Sequence, residues 1–179
     1  QSYDGGGVYG EAGASFVLAG GTIYACGVQS GAFQAFGGGI YAEGGSVTMT
    51  GGAIRNCVVS ANNGANGGGV YIYSGASFTM EGGVIAGCSA MGGGIFTSGS
   101  TVRITGGRIE NCKASGRGGG LSVRGHADQI SVLDAAISGC EAKNGGGVGP
   151  IRLCRPGAGG KAPHPGRKST QRPPGLYRT

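Results

Sequence analysis

One signature recurs along most of this chain and leaves few folds open to it: three consecutive glycines followed by an aliphatic residue. It occurs six times, at residues 5–8, 37–40, 67–70, 92–95, 118–121 and 145–148, with starts 32, 30, 25, 26 and 27 residues apart. A second signature, Gly-Gly-x-Ile-x-x-Cys, follows each of the first four triplets: GGTIYAC at 20–26, GGAIRNC at 51–57, GGVIAGC at 82–88 and GGRIENC at 106–112. A degenerate fifth copy, DAAISGC, stands at 134–140. Self-similarity at a period of this length is the mark of a solenoid, in which no single repeat can bury its apolar face alone.

Aligned on these marks, the repeats form chemically uniform columns. Val8, Ile40, Val70, Ile95 and Leu121 follow the triplets; Phe16, Val47, Phe78, Val102 and Ile130 come midway; Leu18, Met49, Met80, Ile104 and Val132 stand two residues further on. Ile23, Ile54, Ile85, Ile109 and Ile137 then precede Cys26, Cys57, Cys88, Cys112 and Cys140. Between the two midway columns lie Val17, Thr48, Thr79, Arg103 and Ser131, mostly polar, so the pattern alternates with the period of a strand that buries one face. The reading is an all-β parallel β-helix of about five coils over residues 1–149, each coil carrying three short strands joined by glycine corners. Helical repeats are excluded, because glycine interrupts every stretch before two helical turns can form, at about 1 kcal/mol each relative to alanine. The tight hexapeptide period of left-handed coils is absent, which favours the right-handed form. The segments between each cysteine and the next triplet vary from 3 to 10 residues. Insertions of unequal length at one corner predict a projecting edge, where a repeat protein often binds.

Residues 150–179 break with this pattern. They hold all six prolines, seven of the 14 Lys and Arg and none of the eight acidic residues, so the overall charge of +6 belongs to the tail and the body is almost neutral. Such a segment cannot bury a core and is expected to be irregular. Contact with a polyanion and an artefactual end, as from a shifted reading frame, are both open for it. The near-neutral body gives no electrostatic footprint for nucleic acid. No apolar run reaches the ~20 residues of a membrane-spanning helix. A leader is not visible ahead of Gln1 and no capping element is recognisable at either end, so the chain reads as a piece of something longer.

The columns resemble the right-handed parallel β-helix superfamily, which includes pectate-lyase-like enzymes and bacterial surface proteins. A closer likeness is to glycine-rich exported repeats such as the chlamydial polymorphic outer membrane proteins, which carry Gly-Gly-aliphatic motifs like GGAI at 51–54 and GGGI at 37–40 and 92–95. Their companion Phe-x-x-Asn motif is not found here. The resemblance implies an extracellular or cell-surface location and a role as stalk, adhesin or passenger. Its partners would be a host glycan or a surface protein met through the variable edge, and neighbouring repeats of a longer chain.

Candidate chemistry is sparse. The five column cysteines lie too far apart in sequence, and too much in one line, to enclose a tetrahedral metal ion. They read as a ladder of buried thiols or as disulfides between adjacent coils, which the spacing of stacked strands permits. No cofactor site is evident: the close carboxylates of a calcium loop are missing. An enzyme of the carbohydrate-active, pectate-lyase-like class is the alternative function. Its only dense set of polar groups is Arg124, His126, Asp128 and Asp134, and a solvated loop between two strands accounts for the same residues. Glu81, Glu110 and Arg103 read as solvent-facing, and Asn56 with Asn111 as part of a polar ladder. Thr48 and Thr79 stack outward, but Val17 and Arg103 interrupt the flat threonine array that ice binding needs. Tyr9, Tyr41, Tyr71 and Phe96 form an outward aromatic column, either packed ring on ring or offered to a sugar or protein.

Overall fold

A computed structural model describes residues 2–31, 33–125 and 130–149. These residues form short strands with no helix among them, and every pairing between strands is parallel. Equivalent strands of successive coils stack into four five-stranded sheets.

The first sheet contains Val8–Gly10, Ile40–Glu43, Val70–Tyr73, Ile95–Ser98 and Leu121–Arg124. The second, from Ser15–Leu18 to Ile130–Val132, carries the two midway columns, and the third, from Thr22–Tyr24 to Ala136–Ser138, carries the isoleucines. Register is uninterrupted along the columns: Val70 pairs with Ile40 and Ile95, Phe78 with Val47 and Val102, Ile85 with Ile54 and Ile109. A one-residue slip would turn every apolar side chain to solvent, so the alternation seen in the sequence fixes this register. The inward columns make one continuous core in which Ile40, Val70, Phe78, Met80, Ile85, Ile95 and Leu121 are at most 1% exposed. Val8, Phe16, Ile23, Ile130 and Ile137 on the terminal coils are only half covered.

The structure adds a strand that the sequence columns did not reveal. The segment between cysteine and triplet does not simply project. It forms a fourth sheet of Gly27–Ser30, Val58–Ala61, Ser89–Ala90, Lys113–Arg117 and Glu141–Asn144. Where that segment is long it turns again into a short fifth sheet of Ser2–Asp4, Gln34–Phe36 and Ala65–Asn66. Val28, Ala35, Val59, Ala65 and Ala90 fill a small second core between these two sheets. The unequal segment lengths therefore decide how far the fifth sheet extends.

The triplet glycines have separate reasons. Gly37 has φ +62°, a left-handed backbone in which a side chain is strained. A Cβ on Gly39 would lie 2.7 Å from Ile54 Cγ2 and 3.3 Å from Cys57 Sγ, so its absence makes room for the core columns of its own coil.

Candidate functional site

A cleft of about 590 Å³ lies on the outer side of the first sheet, where the chain turns into it from the fifth. The register of the first sheet places two outward columns side by side. One is Tyr9, Tyr41, Tyr71, Phe96 and Ser122; the other is Glu43, Tyr73, Ser98 and Arg124. The opposite wall comes from the fifth sheet, where Asp4, Phe36 and Asn66 share a column and Gln34 stands beside it.

The aromatic column is packed ring on ring. Tyr9 and Tyr41 stack at 5.3 Å and 2°, Tyr41 and Tyr71 at 5.4 Å, Tyr71 and Phe96 at 5.2 Å, and Phe36 from the far wall closes on Tyr71 at 4.8 Å. Parallel in-register strands bring equivalent side chains to about 4.8 Å, close to the separation at which aromatic rings attract. Tyr41, Tyr71 and Phe96 are consequently buried, and only Tyr9 at the end of the column keeps much of its ring exposed. Tyr73 differs: its column neighbours are Glu43 and Ser98, neither aromatic, and it remains 40% exposed with its ring within 17° of the plane of Tyr71.

The charges of the cleft are divided along its length. The Tyr41 hydroxyl donates to Glu43 Oε2 at 3.2 Å. Burial, then the carboxylates of Glu43 and Asp4, push the Tyr41 phenol far above its ordinary value. Burial and Tyr73 push Tyr71 up to about 12, while Arg124 pulls in the opposite direction. The field is thus negative near the first two coils and positive near the fifth.

Of the residues singled out in the sequence, Arg124 from the polar set and Tyr41 and Tyr71 from the aromatic column line this cleft. Asp134 is exposed at the bend after Ile130–Val132, at a different corner of the coil, and is not among the cleft-lining residues. His126 and Asp128 lie outside the described residues. Asp4, Glu43, Gln34, Asn66 and Tyr73 were not foreseen as site residues. Their columns are chemically mixed, and only uniform columns stand out when the repeats are aligned.

The five column cysteines are free thiols, with Cys57, Cys88 and Cys112 fully buried. Each donates to a carbonyl two residues back, as Cys88 does to Ala86 at 3.4 Å. Four also approach the isoleucine carbonyl of the preceding coil, at 3.8–3.9 Å. Hydrogen bonds in which Cys88 is the donor to Cys112 and Cys57, reinforced by burial, drive the Cys88 thiol well above its ordinary value, and burial raises Cys26 and Cys140. No group of three or more His, Cys, Asp or Glu among the described residues could hold a metal ion. Glu81 and Arg103 are exposed and Glu110 is half-buried. Asn56 and Asn111 do not form a continuous ladder, because Gly87 stands between them in the column.

A family model described as the right-handed β-helix region matches residues 6–149. The chain belongs to that family, and its solenoid is the right-handed parallel form. Neither the curated proteins nor the solved structures gave a match to the chain.

Proposed function

We propose that this chain is a non-enzymatic structural and adhesive solenoid segment of an exported bacterial surface protein, and that it meets a host glycan or surface protein in the cleft beside the first sheet. The observation that carries this reading is the makeup of the cleft. A rigid stacked aromatic column is flanked by hydroxyls, amides and charges held on separate coils. Glu43 and Arg124 stand three coil steps apart, about 14 Å at the 4.8 Å spacing of stacked strands. Glu43 is already engaged by Tyr41. Groups so spread suit recognition of an extended ligand better than attack on one bond, which needs acid and base converging on a single atom. A glycan supplies the hydroxyl-rich, partly apolar surface that such a wall accepts. This relocates the expected binding surface from the edge of unequal insertions to the corner those insertions build.

Binding of the folded protein to a glycan array, run beside lyase and hydrolase assays on the same polysaccharides, tests the proposal. Retention of a glycan that is lost in Tyr73→Ala supports it. Turnover of any polysaccharide would replace it with the alternative, a carbohydrate-active enzyme, and Arg124 would be the first residue to test for a catalytic part.

A further inference from the structure

The cleft has a polarity that a neutral glycan would not require. Along the column Glu43, Tyr73, Ser98, Arg124, each residue is in register with the next, so the order is carboxylate, aromatic ring, hydroxyl, guanidinium. Asp4 adds a second carboxylate on the facing wall at the Glu43 end. Arg124 is exposed and makes no ion pair among the described residues, whereas Arg108 with Glu110 and Lys113 with Glu141 elsewhere on the solenoid do. The interior of the column is neutral. Tyr73 turns its ring faces along the solenoid axis, since its plane nearly matches that of the stacked Tyr71. Beyond it Ser98 is small, and two coil steps of about 4.8 Å each separate Tyr73 from Arg124. The slot left over Ser98 is therefore about 10 Å from column residue to column residue, enough for one saturated ring lying on the tyrosine face with a neighbour on its other side.

We infer that the ligand of this cleft is a zwitterionic oligosaccharide, with a free amino group toward Asp4 and Glu43 and an anionic group toward Arg124, a few sugar rings apart. This rests on the reading of the cleft as a glycan site. A protonated amine satisfies the carboxylate end, where hydrogen bonds to an ionised acceptor are the strong ones. The planar guanidinium takes a carboxylate at the other end in bidentate fashion. A ring between them packs on Tyr73 and meets the Ser98 hydroxyl. Opposite charges at the two ends also fix direction, because a reversed ligand would set amine against guanidinium and carboxylate against carboxylate.

The test uses three trisaccharides of one β-1,4 backbone. The first ends in glucosamine at one side and glucuronate at the other; the second is its N-acetylated form; the third is its carboxyl-reduced form. Calorimetric titration of the folded chain is expected to show the zwitterion binding at least tenfold more tightly than either singly charged form. Glu43→Gln should reduce the preference for the free amine to the part that Asp4 supplies and keep that for the carboxylate. Arg124→Gln should do the reverse, both with melting temperatures unchanged. Equal affinity for all three, or loss of both preferences together in either variant, overturns the inference while leaving the cleft a glycan site. Failure of every saccharide here and on the array removes that site as well.

Discussion

The side-chain oxygen of Asn56 occupies the volume that a Cβ on Gly87 would need. The same relation recurs between Asn111 and Gly139, so asparagine and glycine alternate down one corner of the solenoid. Asn56 and Asn111 adopt φ of 55° and 54°, a left-handed backbone that asparagine tolerates, and Gly87 and Gly139 adopt it at 63° and 59°. Gly87→Ala meets both the strained backbone and the amide above it. It should cost about 2–4 kcal/mol in urea unfolding. In an Asn56→Gly background, roughly half of that loss should disappear, since the collision goes and the backbone strain stays. Equal losses in both backgrounds would mean that the amide does not fill the space.

Thr97 points into the core, 1% exposed between Ile72 and Val123, and its hydroxyl has no hydrogen-bond partner among the described residues. Replacing it with the isosteric valine removes a desolvated polar group without opening a cavity. Thr97→Val is expected to stabilise the fold by about 1 kcal/mol. That corresponds to a rise of roughly 2–4 °C in melting temperature. A fall would show that the hydroxyl is satisfied.

Two of the stacked tyrosines should report on alkaline unfolding. Burial holds the Tyr41 and Tyr71 phenols protonated beyond their ordinary value of 10.0, Tyr71 up to about 12. The unfolded phenols lose protons near pH 10 while the folded ones keep theirs. Their share of stability is therefore intact below pH 10 and is lost as pH rises from there, through about 12 for Tyr71. Absorbance at 295 nm should show a late-titrating component, and Tyr71→Phe should diminish it. A single transition near pH 10 in the folded protein would contradict the packing.

The buried thiols should resist alkylation. Iodoacetamide at pH 8 is expected to leave Cys57, Cys88 and Cys112 unmodified in the folded chain and to modify all three in urea, as peptide mapping would reveal. Prompt labelling of Cys88 without denaturant would mean that the column opens far more readily than its burial implies.

The sequence made the core legible because the core is uniform. Ile54, Ile85 and Ile109 answer one steric demand three times, and the glycine pair ahead of each marks the corner. The fourth strand was hidden because Val58–Ala61, Ser89–Ala90 and Lys113–Arg117 share no motif and differ in length. Its signal was a faint one, the small inward residues Val28, Val59, Ala90 and Ala114 spaced with the coils. The cleft was harder still. Glu43, Tyr73, Ser98 and Arg124 occupy one column with four chemistries, and comparison of repeats discards such a column as noise. Packing repeats itself along a solenoid, whereas a recognition surface has to vary.

Coil stacking gives the chain a graduated scale. The backbone positions of Glu43 and Arg124 are separated by a whole number of strand spacings, so the stacking of the coils sets the basic distance between the sites that carry the two charges. Removing the coil that carries Ser98 would bring the two charges about 4.8 Å nearer and leave the core columns in register. Duplicating it would move them apart by the same increment. Ligand length would then be written in the count of repeats, and a gene that gains or loses one unit would change specificity in discrete steps while keeping its fold.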